Sequence, residues 1–168
     1  MRRSRAGRLW HHIATDHRAV RRRFPPAALA ALEAAIGAGE KRHRGQLCVA
    51  IEPSLPPLRV LRHITPWERA LEVFGQLRVW DTEENSGVLL YLLLADRDVE
   101  IVADRGIHRK VGDAQWREIC SELESELRAG RFGDGVARAV TRISDVLAEH
   151  FPRTRAGEDE LPNRPVLL

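Results

Sequence analysis

With 168 residues, 43% of them hydrophobic, the chain is long enough for one compact domain that buries roughly 70% of its unfolded surface. No apolar run approaches the roughly 20 residues of a membrane-spanning helix, and the basic start, MRRSRAGRLWHHIA, lacks the apolar region and cleavage site of a secretory signal. The net charge of +3 is unevenly placed: residues 1–23 hold eight arginines and one acid, Asp16, for +7, while residues 24–168 hold 19 basic and 23 acidic side chains, for −4.

An acidic domain behind a basic arm points to an anionic partner for that arm, either a membrane surface, nucleic acid or an acidic protein. Within RLWHHIATDHRAVRRRF, Leu9, Ile13, Val20 and Phe24 recur every four or seven residues, so the arm, residues 1–24, is expected to be a helix with one apolar stripe. The stripe serves either packing on the domain or binding to a membrane surface. His12 and Asp16 share a face of such a helix, but structural zinc sites usually present four ligands and this stretch has no cysteine.

The domain proper is expected over residues 25–151. PPAALAALEAAIGAGEKRHRG has a proline start, good helix formers and a glycine stop at Gly45, and reads as a helix. QLCVAIE, ended by Pro53, reads as a first strand. Leu58 to Ile64 fits a short edge segment or a loop. TPWE then sets Thr65 as helix cap, Pro66 at the first helical position and Glu68 to complete a capping box.

Val88 to Ala95 is continuously apolar and therefore expected as a central strand covered on both faces. After a polar turn at Asp96 to Asp98, Val99, Ile101 and Ala103 share one side while Glu100 takes the other, as in a strand nearer the edge. Two amphipathic helices follow, Asp113 to about Leu127 and about Asp134 to His150. The fold class is thus α/β: a small mixed sheet, a parallel βαβ unit plus an antiparallel hairpin, with helices on both faces. The tail, residues 152–168, is rich in proline and charge without a sustained period and is expected to be disordered. Cys48 and Cys120 sit in apolar settings and read as buried thiols of a reducing cytoplasm. Trp67, Trp80 and Trp116 read as core or rim packing.

The hairpin brings the loop before its first strand and the loop after its second to one end of the sheet. DTEENSG and DRGIHRKVGD meet there, so Glu84, Asn85, Asp104 and Asp113 become candidate ligands for a hard divalent cation, Ca2+ or Mg2+. Gly87, Gly106 and Gly112 would let the backbone bend close. The same residues also fit structural duties, with Asp113 capping its helix, Asp104 closing a turn and Glu84 carrying solvated loop charge.

NSGVLLYLLLADRDVEIVADRGIHRKVGD resembles the TPM domain family, whose members show a D-N-G-V-L-L-type start to a strand, a hairpin, then G-x-G-L-E-x-x-L-x-D. Gly87, Val88, Leu89 and Leu90 match the first motif; Gly106, Val111 and Asp113 match the second. The chain departs from the pattern at Asn85, Asp104 and His108, where the family commonly has aspartate, glycine and glutamate. The resemblance implies a TPM-like sandwich over about Pro25 to Phe151, in a version without the export signal and membrane helix usual in the family. Two functions follow from it. One is a binding module, cytoplasmic or peripheral to the membrane, that uses the arm to meet an anionic membrane surface or a membrane-protein partner and serves membrane-protein maintenance. Nucleic acid ranks lower as the anionic partner, since FWY residues make up only 5%. The other is a metal-dependent acid phosphatase, with Asn85, Asp104 and Asp113 on the cation and His108 as general acid or base.

Overall fold

The computed structural model of the chain describes residues 5–153 and 161–168. The arm folds as two helices, α1 (Arg5–Ala14) and α2 (His17–Arg23), and not as the one helix its periodicity predicts. The break is chemical: Asp16 takes an extended conformation and its carboxylate accepts from the Ala19 N–H at 3.0 Å, so it caps α2 instead of continuing α1. α3 (Pro26–Glu40) leads into β1 (Gln46–Glu52); α4 (Pro57–Leu61) and α5 (Pro66–Gln76) cross to β2 (Gly87–Leu93). β3 (Asp98–Ala103) folds back on β2, and α6 (Arg105–Val111), α7 (Asp113–Arg128), α8 (Phe132–His150) and β4 (Val166–Leu167) follow.

The sheet order is β3-β2-β1-β4, with β1 parallel to β2 and β2 antiparallel to β3, the expected mixed sheet extended by one strand. The apolar block of β2 is buried throughout because both of its faces are covered. Val88, Leu90 and Leu92 join Leu32 and Ile36 of α3, Trp116, Ile119 and Leu123 of α7 and Val140 and Ile143 of α8. Leu89, Tyr91 and Leu93 face the other way, onto Val60 of α4 and Ala70 and Val73 of α5. Each fully buried aliphatic side chain of these clusters contributes roughly 1.5–3 kcal/mol.

Three expectations are corrected. Leu58 to Ile64 opens as helix α4, since Pro56 and Pro57 supply the cap position and first helical position. The segment after β3, read as loop, forms α6, capped by Asp104 and ended at Gly112 with φ 75°. The tail is ordered at its end: Val166 and Leu167 pair with Ala50 and Ile51 of β1, and the Leu161 N–H reaches the Gln46 side chain at 3.2 Å. A few apolar residues suffice there because β1 offers an open edge whose backbone groups need partners. The part of that tail at 154–160 lies outside the described residues.

Candidate functional site

The two ends of the sheet carry different chemistry. At the end where β1 and β2 finish, α1 is clamped to the β2–β3 turn. Arg8 Nη2 donates to Asp96 at 2.9 Å and to the Ile64 carbonyl at 3.0 Å, and Arg8 Nε donates to the same carboxylate at 3.1 Å. His12 is buried beside it: its Nδ1 accepts from the Leu55 N–H at 2.9 Å and its Nε2 lies 3.2 Å from Asp96 Oδ1. Burial works to raise the Asp96 carboxyl, but His12 and Arg8 together hold it below the ordinary carboxylate range. His12 and Asp16 consequently serve separate structural posts and do not converge as metal ligands.

This clamp decides which side of α1 faces solvent. Leu9 packs under the helix, while Trp10 (68% exposed) and Ile13 (58%) stand outward. α4 contacts α1 and carries two more exposed apolar side chains, Leu58 (59%) and Leu61 (61%). Four large apolar side chains left in water on two touching helices are more than the scattered exposure ordinary surfaces show. The Ile13 of the expected stripe belongs to this outer patch, whereas Val20 and Phe24 of α2 belong to the core. Arg18, Arg21 and Arg22 of α2, Arg62 after α4 and Arg97 of the β2–β3 turn are exposed. Arg23 sits over the Phe132 ring at 4.9 Å, and burial, then the charges of Arg97 and Arg22, depress its guanidinium.

The other end holds the sequence-predicted ligands. The loops do meet as the hairpin demands: the Asp104 N–H donates to the Gly87 carbonyl at 2.8 Å and the Ile107 N–H to the Asn85 carbonyl at 3.2 Å. A Cβ on Gly106 would lie 2.5 Å from the Asn85 carbonyl oxygen and 2.7 Å from that of Glu84, so only glycine fits. The side chains, however, go separate ways. Glu84 pairs with Arg44. Asp104 is buried and accepts from the Arg105 N–H at 2.6 Å as the α6 cap. Asp113 is exposed, 3.5 Å from His108 Nε2 and 3.4 Å from Arg117. His108 and Asp113 line a groove beside β3 with Trp67, Leu71 and Trp116, and Glu84, Asn85 and Asp104 do not.

A hard dication asks for six to eight oxygens. Among the described residues, no group of three or more His, Cys, Asp or Glu side chains is placed to hold a metal ion. Two buried oxygens without a hydrogen-bond partner, Asp104 Oδ2 and Ser86 Oγ, are too few to make up that shell. The four residues do not fit a calcium or magnesium centre in this arrangement.

Both thiols are held in their protonated form. Burial pushes Cys48 up to about 11, and burial with the Glu100 charge pushes Cys120 up to about 12. Sequence reasoning missed the outer patch because Trp10 and Ile13 acquire their meaning only from α4, 40-odd residues later, whose helicity was not read.

Among the described residues, no helix is long and apolar enough to cross a membrane. Residues 22–146 match the sequence profile of the TPM domain. Among solved structures, the BA42 protein from the psychrophilic bacterium Bizionia argentinensis is similar, with 27% identity and a TM-score of 0.75 over 84% of this chain and 93% of that one. No curated protein matches the chain.

Proposed function

The chain belongs to the TPM domain family, and from that premise we propose that it is a binding module that docks on anionic membrane surfaces through α1 and α4. The observation carrying this reading is the joint exposure of Trp10, Ile13, Leu58 and Leu61 on two touching helices, beside an arm of net charge +7. Apolar side chains supply insertion into the headgroup region, at roughly 25 cal/mol per Å² removed from water. Arginines near the surface add about 1 kcal/mol each while salt is low. A domain so held stands ready to meet membrane proteins, in keeping with a role in their maintenance.

The test is co-sedimentation with phosphatidylcholine vesicles containing phosphatidylglycerol. Expected is binding that weakens with salt and drops about tenfold in Trp10→Ser combined with Leu61→Ser, both exposed and tolerant of change. Deleting residues 1–23 is a poor probe, since Val20 belongs to the core and its loss would unfold the domain. Equal binding by neutral vesicles, or by the double variant, would remove the proposal. The phosphatase reading retains one observation, the His108–Asp113 pair in an open groove. Hydrolysis of a generic phosphomonoester that is lost in Asp113→Ala supports it, and no hydrolysis ends it.

A further inference from the structure

Among the described residues, no strand pairs with the outer edge of β3. The direction of its backbone groups follows from one bond: the Asp104 N–H donates inward to the Gly87 carbonyl, and Gly87 lies opposite Asp104 in the β2–β3 register. Alternation along an antiparallel pair then turns the N–H and C=O groups of Val99, Ile101 and Ala103 outward. The Cys120 thiol lies against the Ile101 N–H, a weak acceptor that a backbone carbonyl can replace. This edge forms the floor of the groove between α5 and α7, with Trp67 and Leu71 on one wall and Trp116 and Cys120 on the other.

Charge selects the occupant. The Glu100 side chain, halfway along the edge strand, makes no hydrogen bond or ion pair among the described residues and lies within the field of Glu124. Asp98, at the start of the strand, lies in the field of Glu100, Glu124 and Asp96, partly offset by Arg8. A second copy of this chain would bring another Asp98 and Glu100 to the same seam, and like charges brought together across a pairing are destabilising. A segment carrying lysine or arginine relieves the crowding instead.

We propose that the β3 edge is a docking site for a basic, extended segment of another protein, which adds to the sheet as a fifth strand between α5 and α7. Backbone bonds to Val99, Ile101 and Ala103 hold the segment, a basic side chain meets Glu100 on the α5 side of the sheet, and the alternate apolar side chains turn to the α7 side and rest on Trp116. At about 3.3 Å per residue, the six residues of β3 take a segment of about the same length. This site is separate from the α1–α4 patch, and its test contains no lipid, so it stands or falls independently of membrane docking.

The probe is a short synthetic peptide alternating valine with lysine, titrated against the full chain while backbone amide shifts are followed by NMR. Saturable shifts are expected at Val99, Ile101 and Ala103, with about tenfold weaker binding of the peptide carrying glutamate for lysine. In Glu100→Lys the two peptides exchange rank, and a proline at the peptide's centre abolishes binding in the native chain. If Glu100→Lys fails to fold, Glu100→Gln serves: the gap between lysine and glutamate peptides closes. The proposal is overturned if no saturable shift appears at those amides, if both peptides bind alike, or if β3 shifts only with protein concentration, as in self-association.

Discussion

Tyr91, wholly buried on the central strand, donates its phenolic proton to Glu52 Oε2 across 2.6 Å. The carboxylate is held from its other side by Arg69, whose Nε and Nη2 donate at 2.9 and 3.1 Å. Burial, then the Glu52 charge, raises the Tyr91 hydroxyl far above its ordinary range, so it stays a donor. This trio ties β1, β2 and α5 together inside an otherwise apolar layer. Replacing Arg69 with alanine strands a buried carboxylate and is expected to cost about 3 kcal/mol, while Tyr91→Phe costs about 2. Urea unfolding midpoints measure both; a loss below about 1 kcal/mol for Arg69→Ala would show that water replaces the guanidinium.

Two groups, buried His43 and half-buried Asp98, give stability a pH dependence of opposite sign. His43 donates from Nδ1 to the Gly45 carbonyl at 2.8 Å, and burial, with help from Arg42 and Arg153, pushes it down to about 4 from 6.5. The unfolded chain therefore takes up a proton first, and stability falls as pH drops from 6.5 to about 4. Asp98 is raised by burial, then by Glu100, Glu124 and Asp96, to about 7 from 3.8. Its contribution is complete below 3.8 and is lost as pH rises through about 7. Stability profiles of His43→Gln and Asp98→Asn should each lose one slope. The variants changing the profile in the same direction would sink this assignment.

Gly87 and Gly106 are held by close approach of backbone. A Cβ on Gly87 would lie 1.9 Å from the Val79 carbonyl oxygen, and one on Gly106 2.5 Å from that of Asn85. Both neighbours are main chain and have no rotamer to yield. Gly87→Ala and Gly106→Ala should therefore destabilise by about 2 kcal/mol or more, against near neutrality for Gly75→Ala, whose Cβ meets nothing within 4 Å. Thermal unfolding of the three variants decides it, with equal melting temperatures as the failing result.

Elements with a strong local signal were legible from residues alone: the apolar Val88–Ala95 block, the Thr65–Glu68 capping box and the amphipathic α7 and α8. What escaped depends on partners remote in sequence. β4 exists because Val166 meets Ala50 across 116 residues of chain. α6 did carry a signal, Asp104 as cap, Ile107 and Val111 four apart and Gly112 as stop, but its crowd of charges masked about two turns of helix. At the loop end, the meeting of residues near 85 and 104 followed from hairpin geometry, while the diversion of Glu84 to Arg44 did not, because nothing local links them. Proximity of loops was readable, convergence of side chains was not.

The scattering of those carboxylates has a measurable consequence. With Glu84 on Arg44, Asp113 on Arg117 and His108, and Asp104 capping α6, millimolar Ca2+ or Mg2+ should give no saturable change in melting temperature or in the amide shifts of residues 84–87 and 104–113. A saturable response confined to those loops, abolished in Asp104→Asn, would mean that the side chains reorganise around a cation.

The clamp on α1 makes the exposed apolar patch of α1 and α4 a property of the folded domain and not of a loose arm. Asp96 receives Arg8 and contacts His12, and its carboxyl is held below the ordinary value of 3.8. A depressed carboxylate contributes stability that is present above 3.8 and is lost as pH falls below it, so the clamp is intact at neutral pH. Asp96→Ala leaves Arg8 without its carboxylate and His12 with only its bond from the Leu55 N–H. α1 should then open locally without unfolding of the sheet, since the strands are held by the core on both faces. Hydrogen exchange of amides 9–14 is expected to accelerate about tenfold while those of β2 keep their protection. Unchanged exchange in α1 would show that Leu9 and α4 hold the helix by packing alone, and the ion pair would be surplus to the placement of the patch.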